Sequence, residues 1–347
     1  MRAVALVAAP ADVCCRYRVR AFLPSIAPET LSVDVRALHG GLLDRWRCLR
    51  SLPAHGLVLL QRRLLSWIEL RILRVRARRL VFDFDDAVYH PSASRRRSLA
   101  MHRHARFRML LRQCDAIIAG NDFLAAAARR YVDPARVHVI PTCIDPSLYP
   151  AAYTDLRRRA DVQLVWIGSS STMRWLLQNR APLFDAIGRA LPAVRLKVIC
   201  DAFPRFEHLP VLPVEWSEAA EARELAAADI GVSWMPDGDW SRGKCGLKLL
   251  QYMAAGLPVV ASPVGVQAEM VEDGQSGFLV RTPTEWIHAI RRLAGDAELR
   301  HRLGHRGRQI AEERYNVRDW ASAFARILTG RPDGEFAVGK SLNSCAP

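Results

Sequence analysis

The amino-acid sequence predicts an α/β protein with two parallel sheets in tandem. Its 347 residues correspond to about two domains, and hydrophobic residues make up 50% of the chain, enough for two packed cores. Twelve short apolar runs alternate with helical patterns, as is typical of parallel strands joined by crossover helices. The alternation breaks near residues 145–161, where two prolines and a charged segment indicate a domain boundary.

Each apolar run has the length of a buried strand. In the first half the strands are predicted at residues 4–7, 31–35, 57–60, 80–82, 116–119 and 137–140. In the second half they are predicted at residues 162–167, 195–199, 211–214, 230–233, 259–261 and 278–280.

The intervening segments predict helices. Residues 64–79 interleave Leu65, Ile68, Ile72 and Val75 with arginines, as an amphipathic surface helix does. Further helices are predicted at residues 94–112, 284–294, 298–313 and 317–328. The predicted domains are residues 1–150 and 162–314, followed by a helix at 315–329 that packs back on the first domain and a flexible tail at 330–347.

Positive charge is concentrated in the first half. Residues 1–150 contain 25 arginines against 12 acidic residues, whereas residues 151–347 contain 25 basic and 23 acidic residues. Within the first half, residues 60–112 alone have 14 arginines and four acids. Such a surface attracts anionic membranes, polyphosphates or nucleic acid. The alternative is that a GC-rich genome encodes arginine wherever a solvated positive charge is acceptable. Nucleic-acid binding is not expected, because this region lacks aromatic interleaving and a clear helix-turn-helix.

The remaining composition favours a reduced cytoplasmic protein. The eight cysteines form no Cys-x-x-Cys pair, so their spacing predicts neither a zinc site nor a disulfide framework. No apolar run reaches the roughly 18 residues of a membrane span. Residues 2–8 are interpreted as a strand and not as a secretory leader, because the apolar run is short and Asp12 follows it.

Two of the chain's four lysines, Lys244 and Lys248, lie one helical turn apart where a Gly-containing loop enters a helix. Such a helix start presents backbone N–H groups and a positive dipole end to an anion. We therefore interpret the segment around Gly246 as a diphosphate site. Two solvated lysines are the alternative, which is disfavoured because positive charge is unfavourable at that end of the dipole.

A second loop with small hydroxyl residues follows the strand at 162–167. In Gly168-Ser-Ser-Ser-Thr172 the hydroxyl groups either bind phosphate, with Arg174 adding charge, or simply cap the next helix. The sequence leaves both interpretations open.

The segment 244–265, together with 269–274 and 277–280, resembles the donor-binding half of GT-B glycosyltransferases of the family 4 type, the glycosyl transferases group 1. Residues 119–124 and 139–145 are similar to the end of that family's first domain, and residues 166–168 to the start of its second. The resemblance implies two Rossmann-like doubly wound domains that face each other across a cleft. It covers residues 115–328 well and 1–114 loosely.

Carried over by position, the resemblance implies a donor site. Gly246 and Leu247 offer N–H groups to the diphosphate, Arg174 takes the family's basic position, and Glu269 matches its acidic residue. Asp85 aligns with the family's histidine that contacts the donor sugar, and there it either binds a sugar hydroxyl or receives the acceptor proton. The implied set is Asp85, Arg174 and Lys248 as catalytic residues, with Gly168, Ser169, Thr172, Lys244, Gly246, Leu247, Gln251 and Glu269 binding the donor.

The chain departs from the family at a Glu-x7-Glu pair. Gly243 stands in place of the glutamate that contacts the donor sugar, and Gln251 in place of the one that holds the ribose. An amide still hydrogen-bonds a hydroxyl, but glycine has no side chain for any such contact. Family members transfer hexoses with retention and without a metal, and the departures leave the stereochemistry open. Trp216 either stacks on the base or is an ordinary core or surface tryptophan, the latter being favoured.

An Asp-x-Asp motif gives a competing interpretation. The strand at 80–82 runs into Asp83, Asp85 and Asp86, and a strand ending in Asp-x-Asp also opens the active site of haloacid-dehalogenase-like phosphatases. In that interpretation Asp83 is the nucleophile and Asp85 the acid, with magnesium as cofactor. Ala87 in place of the usual Thr or Val argues against it.

The sequence therefore predicts a glycosyltransferase of cell-envelope polysaccharide synthesis. Its partners would be a nucleotide-sugar donor, an anionic carbohydrate or lipid-linked acceptor and, through residues 60–112, the anionic inner face of a membrane. No metal or other cofactor is expected. A magnesium-dependent phosphatase and a non-catalytic basic protein that binds nucleotide sugar or nucleic acid are the alternatives.

Overall fold

The computed structural model describes residues 1–54, 56–90, 97–150 and 161–331, with 97–100 and 175–179 described by backbone alone. The chain forms two compact units. Unit 1 contains Met1–Cys143, Gly238–Cys245 and the chain from Val317, and unit 2 contains Ile144–Asp237 and Gly246–Asn316. The predicted segment 155–159, residues 94–96 of the second predicted helix and residues 332–347 of the predicted tail lie outside the described residues.

These units differ from the predicted domains in two places. The first division of the chain falls after Cys143 and not near residue 150, and Gly238–Cys245, which was assigned to the second domain, belongs to unit 1. Non-local contacts, described below, hold this segment there. A local sequence pattern does not reveal such contacts.

Unit 1 is built on a parallel sheet with the strand order β2-β1-β3-β4-β5-β6. Near-continuous apolar runs form its central strands because helices cover both faces of such a sheet. The strands are β1 Arg2–Val7, β2 Ser32–Ala37, β3 Gly56–Gln61, β4 Ala77–Phe84, β5 Ala116–Ala119 and β6 Val137–Val139. The helices are α1 Val13–Arg18, α2 Leu42–Arg50, α3 Trp67–Arg76, α4 Arg97–Gln113, α5 Asp122–Arg129, α8 Asp239–Arg242 and α13 Val317–Thr329.

The C-terminal helix α13 packs on the first sheet. The rings of Phe22 and Phe324 stack with centroids 4.6 Å apart, and the Arg79 guanidinium donates two hydrogen bonds to the Ile327 carbonyl. A buried apolar face that includes Ala321, Ala325 and Leu328 accompanies these contacts.

Helix α3 differs from its prediction in length and orientation. It ends at Arg76, because Arg78 and Arg79 belong to strand β4, where Arg79 pairs with Leu57. Ser66 caps its start through a capping box with Glu69, so Leu65 precedes the helix and packs in the core. Of the apolar residues in the predicted amphipathic pattern, Ile68 and Val75 are exposed, and the helix buries Glu69, Leu70 and Leu73.

Unit 2 repeats the parallel arrangement with the strand order β12-β11-β10-β7-β8-β9. Its strands are β7 Val162–Ile167, β8 Val194–Cys200, β9 Val211–Glu215, β10 Ile230–Ser233, β11 Val259–Ala261 and β12 Gly277–Leu279. Its helices are α6 Ser170–Ala190, α7 Glu221–Ala226, α9 Leu247–Ala254, α10 Val266–Met270, α11 Pro283–Gly295 and α12 Ala297–Arg314. The prediction of two parallel sheets is confirmed, and no helix in the described ranges is long and apolar enough to cross a membrane.

The two ends of unit 2 are joined to each other. The Ile144 N–H donates to the Tyr315 carbonyl at 2.9 Å, and Ile144 forms a β-bridge with Asn316. Arg308 of helix α12 adds hydrogen bonds to the carbonyls of Pro146 and Tyr149. The segment that enters unit 2 is thereby fixed to the segment that leaves it.

Helix α12 approaches the turn after helix α9 closely. A Cβ atom on Gly304 would lie 2.0 Å from the carbonyl oxygen of Gly256, a distance that no side chain tolerates. By contrast, a Cβ atom on Gly295, at the end of helix α11, meets nothing within 4 Å.

We predict that Gly304→Ala lowers the free energy of unfolding of unit 2 by about 1–3 kcal/mol, because the added methyl group forces the helix away from Gly256. Gly295→Ala is the matched control and leaves stability unchanged or slightly raised. Thermal unfolding followed by circular dichroism measures both. Equal melting temperatures for the two variants would contradict the close approach.

Candidate functional site

The start of helix α6, at the end of strand β7, is capped by nearby side chains. Ser169 Oγ accepts a hydrogen bond from the Thr172 N–H at 3.4 Å. The Asp201 carboxylate accepts one from the Ser170 N–H at 2.9 Å. Hydrogen bonding by the Ser170 side chain is the largest cause that lowers the pKa of Asp201. The structure therefore shows the capping interpretation of this loop, while phosphate binding by Gly168, Ser169 and Thr172 stays a prediction.

Lys248 of helix α9 reaches the end of strand β7. Its Nζ lies 4.1 Å from the ring centroid of Trp166, a cation–π contact. The same Nζ would lie 2.9 Å from a Cβ atom built on Gly168, so the missing side chain leaves room for the ammonium group. The structure thus brings the predicted residues Gly168 and Lys248 together.

Trp166 was missed by the sequence analysis, which considered Trp216 instead. A signal was present, because residues two apart on a strand face the same side and Trp166 stands two before Gly168. Trp216 has a structural role: its Nε1 donates to Glu221 Oε2 at 2.9 Å, and Tyr149 donates to the other oxygen of the same buried carboxylate at 3.1 Å. The favoured interpretation of Trp216 as a packing residue agrees with these contacts.

Helix α9 begins at Gly246 in a conformation that favours glycine. Its φ is 69°, in the left-handed region, and a Cβ atom there would lie 2.5 Å from the sulfur of Met270. No described side chain caps this helix start. The N–H groups of Gly246 and Leu247 therefore lie at a helix terminus whose dipole favours an anion.

Three further predicted site residues, one catalytic and two donor-binding, occupy different environments within unit 2. Arg174 is exposed on helix α6. Gln251 is buried in helix α9, with 3% of its surface exposed. Glu269 is exposed in the first turn of helix α10. Their roles at a donor remain predictions.

Lys244 has a partner that the sequence did not predict. Its Nζ donates to Asp86 Oδ2 at 2.7 Å and lies 4.2 Å from the ring centroid of Trp240. The carboxylate compensates the lysine charge within unit 1, whereas Lys248 belongs to unit 2. The expectation that Lys244 and Lys248 jointly supply charge to one diphosphate stays a prediction.

The segment Gly238–Cys245 is fixed to unit 1 by one amide. Asn121 Nδ2 donates to the carbonyls of Arg242 at 3.2 Å and Lys244 at 3.1 Å, while its Oδ1 accepts from the Leu124 N–H and caps helix α5. One side chain therefore stabilises both the helix start and the returning segment.

Glycines allow this segment to pack closely. A Cβ atom on Gly243 would lie 2.7 Å from the Ala87 Cβ, and one on Gly120 would lie 2.4 Å from the Cys245 sulfur. Gly243, which stands in place of the family's sugar-contacting glutamate, is consequently a packing position with no room for a side chain in this arrangement.

Asp83 is not an accessible nucleophile. Its carboxylate is fully buried and forms an ion pair with Arg18, whose Nη2 lies 2.5 Å from Oδ1. The same guanidinium donates to the carbonyls of Ile140 at 2.7 Å and Pro141 at 2.9 Å. The phosphatase interpretation required Asp83 to attack phosphate, and the structure contradicts it.

The two following aspartates are more exposed and are held by Arg62. Arg62 Nη2 donates to Asp86 Oδ2 at 2.9 Å, and its Nε lies 3.4 Å from Asp85 Oδ1. Asp85 Oδ1 has an ion-pair contact but no hydrogen bond among the described residues. That oxygen is itself buried and the side chain is 14% exposed, so the carboxylate keeps acceptor capacity that the described residues do not use.

Arg62 is a site residue that the sequence analysis missed. It adopts a φ of 56°, which is uncommon for a residue other than glycine and typical of functional loops. Its Nη1 also donates to the Cys14 thiol. Burial, with the Asp85 charge next, raises the pKa of Cys14 to about 12, so this thiol stays protonated.

We predict that Gly243→Ala lowers the melting temperature, with a loss of about 1–3 kcal/mol in the free energy of unfolding, because the methyl group overlaps Ala87. Adding Ala87→Gly removes the overlap and restores most of the loss. Gly238→Ala, in the same segment, is the control, because its Cβ meets nothing within 4 Å. Additive losses in the double variant would show that Gly243 and Ala87 do not pack together.

Residues 148–296 match the family Glycosyl transferases group 1. Among curated relatives, spore coat protein SA of Bacillus subtilis (strain 168) is 35% identical over 80 residues, which are 22% of this chain and 20% of that protein. D-inositol 3-phosphate glycosyltransferase of Stackebrandtia nassauensis is 45% identical over 60 residues, 17% of this chain and 14% of that protein. The matched segments thus span a fifth or less of these relatives.

Solved structures match over nearly the whole chain. The sucrose-phosphate synthase of Thermosynechococcus elongatus has a TM-score of 0.70 at 17% identity, with 95% of this chain and 98% of that chain covered. Anabaena HepE, solved with UDP-glucose, has a TM-score of 0.66 at 17% identity, with 95% of this chain and 100% of that chain covered. WaaG, a glycosyltransferase involved in lipopolysaccharide biosynthesis, has a TM-score of 0.65 at 16% identity, with 95% of this chain and 100% of that chain covered.

These likenesses confirm the predicted fold and the resemblance stated above. This chain has the GT-B fold, and its residues 148–296 are similar to the glycosyl transferases group 1 family.

Proposed function

We propose that this protein is a glycosyltransferase that moves a sugar from a nucleotide-diphosphate sugar to a hydroxyl group of a carbohydrate or lipid-linked acceptor. The observation that carries the proposal is the placement of Lys248 in unit 2. Its ammonium group lies over Trp166 and beside Gly168, and it belongs to the first turn of helix α9, whose start no described side chain caps.

This placement suits a diphosphate leaving group. Negative charge develops on the leaving oxygen as the glycosidic bond to the donor breaks, and fixed positive groups stabilise it. Lys248 supplies a charge, the N–H groups of Gly246 and Leu247 supply dipoles, and Arg174 supplies a second charge by resemblance to the family. We propose that these groups serve without a metal ion.

A uridine nucleotide is the first donor to test. HepE, whose fold this chain shares, was solved with UDP-glucose. The proposed ribose contact is the Gln251 amide, in place of the family's glutamate. The sugar itself lacks a partner at position 243, where Gly243 packs against Ala87, so retention of configuration and hexose transfer are proposals by resemblance alone.

We place the acceptor function in unit 1 at Asp85. A carboxylate oxygen with an unused acceptor position receives the proton of an attacking hydroxyl or orients a sugar hydroxyl by a hydrogen bond. Arg62 holds this carboxylate by its Nε. The basic composition of unit 1 favours an anionic acceptor.

The proposed setting is envelope polysaccharide synthesis at the anionic inner face of a membrane. Residues 60–112 contain 14 arginines and four acids, and each basic side chain near such a surface contributes about 1 kcal/mol of attraction. WaaG, another neighbour in fold, is described as involved in lipopolysaccharide biosynthesis.

Turnover of purified protein against a panel of sugar nucleotides, with released diphosphate measured, tests the proposed activity. Release from one donor that rises with added acceptor supports it. Tight donor binding without release would show a non-catalytic nucleotide-sugar binder, and absence of both would remove the donor site.

We predict that Lys248→Ala weakens binding of the cognate nucleoside diphosphate by about 1–3 kcal/mol, the range of a charged hydrogen bond. Titration calorimetry with uridine and guanosine diphosphates measures the change. Arg189→Ala, an exposed basic residue in the last turn of helix α6, is the control and leaves affinity unchanged.

Lys244→Ala distinguishes the role of Lys244 from that of Lys248. Because Lys244 pairs with Asp86 in unit 1, its loss is expected to lower the melting temperature more than the affinity. An affinity loss for Lys244→Ala that equals that of Lys248→Ala would show that both lysines bind the diphosphate. Unchanged affinity in Lys248→Ala would remove Lys248 from the site.

We predict that Asp85→Asn lowers transfer turnover by roughly 10²-fold or more, because the amide cannot take up the acceptor proton. Affinity for the diphosphate stays unchanged, since its proposed ligands lie in unit 2. Asp12→Asn, at an exposed aspartate of unit 1 that caps nothing, is the control. A parallel assay of magnesium-dependent phosphatase activity is expected to show none, and full transfer activity of Asp85→Asn would exclude the catalytic role.

A further inference from the structure

Four large apolar side chains are exposed in the first turns of helices α2 and α3. Leu42 and Leu43 are 61% and 67% exposed, and Trp67 and Ile68 are 61% and 46% exposed. Surface tryptophan and paired leucines are uncommon on a protein without a partner surface. We call these four residues the α2–α3 apolar patch.

The two helix starts are neighbours. Arg45, one turn after Leu42, forms an ion pair with the buried Glu69, which is adjacent to Ile68 in the chain. Glu69 is also the capping-box residue that fixes the start of helix α3 through the Ser66 N–H at 2.7 Å. The ion pair therefore joins the start of helix α2 to the start of helix α3.

Arginines surround this patch. Helices α2 and α3 contain six arginines and two acids. Arg47, Arg50 and Arg71 are exposed, and the Arg71 guanidinium lies 5.3 Å from the Trp67 ring centroid. Of the acids, Glu69 is buried in its ion pair, and the exposed Asp44 accepts a hydrogen bond from the Gly41 N–H.

We propose that the α2–α3 apolar patch inserts into the interfacial region of a bilayer that contains anionic phospholipid. Apolar side chains with an arginine rim match the two layers of such a surface, acyl chains below and phosphates above. Tryptophan prefers this boundary because its ring is apolar and its N–H needs a polar partner. The inference rests on the proposed function only for its biological purpose, which is access to a lipid-linked acceptor.

This attachment differs from general attraction by residues 60–112. It assigns the insertion to four side chains, two of which lie outside that region. It also gives a role to Ile68 of helix α3, which is 46% exposed. The exposure of Ile68 is the expected state of a residue that enters lipid.

Flotation of the full-length protein with vesicles tests the proposal. The probes are vesicles of phosphatidylcholine alone and of phosphatidylcholine mixed with phosphatidylglycerol. The variants are Trp67→Ser with Ile68→Ser, and Leu42→Ser with Leu43→Ser. Phe203→Ser is the control, because Phe203 is 44% exposed and lies in unit 2.

The wild-type protein and the control are expected to float with the phosphatidylglycerol vesicles and not with phosphatidylcholine alone. Each serine pair lowers the partition coefficient at least about tenfold, since two apolar side chains no longer enter the lipid. Nucleoside diphosphate affinity, measured in parallel without vesicles, stays unchanged in all variants. Loss of flotation with retained affinity therefore separates this proposal from the donor site.

Three results would overturn the proposal. Flotation of the serine variants at the wild-type level would show that arginines alone attract the protein. Absence of flotation in the wild-type protein, together with a concentration-dependent dimer that the serine pairs abolish, would assign the patch to a second copy of the chain. Binding of the wild-type protein to RNA in place of vesicles would assign the basic rim to nucleic acid.

Discussion

The buried ion pair between Arg18 and Asp83 is the interaction on which the site in unit 1 depends. A guanidinium and a carboxylate that are both almost fully buried are stable only because each compensates the other and the carbonyls of Ile140 and Pro141 take the remaining donors. This pair fixes the end of strand β4 and the loop after β6. Asp85 and Asp86 follow directly, so their positions derive from a group that takes no part in chemistry.

Gly243 is a close-packing position in unit 1. The position that carries a glutamate in relatives by resemblance is here pressed against Ala87, and the neighbouring Lys244 is neutralised by Asp86. The acidic groups Asp85 and Asp86 lie directly after strand β4, while the returning segment contributes backbone groups and Lys244. A transferase with this exchange would hold its donor mainly by the diphosphate, with fewer contacts to the sugar, and its specificity would rest on other residues.

The strands were predictable from the sequence, whereas several site contacts were not. All twelve apolar runs became strands, because burial on both faces makes a parallel strand a continuous apolar segment. The helix start at Gly246 also followed from a local motif, whereas Lys248 and Gly168 were assigned to one donor site only by resemblance to the family, and the structure places them together. The ion pair of Lys244, the role of Arg62 and the return of Gly238–Cys245 to unit 1 depend on residues more than a hundred positions away or on an unusual φ, which periodicity does not encode.

Helix α3 shows how the same limitation bears on function. Its sequence has apolar residues on two sides, Leu70 and Leu73 on one and Ile68 and Val75 on the other, and periodicity alone selects neither as the buried side. The capping box at Ser66 and the ion pair from Arg45 decide the orientation, because Glu69 must be buried to reach both partners. The burial of one carboxylate therefore turns an apolar stripe outward among arginines. The exposed Ile68 belongs to the surface that we propose enters lipid.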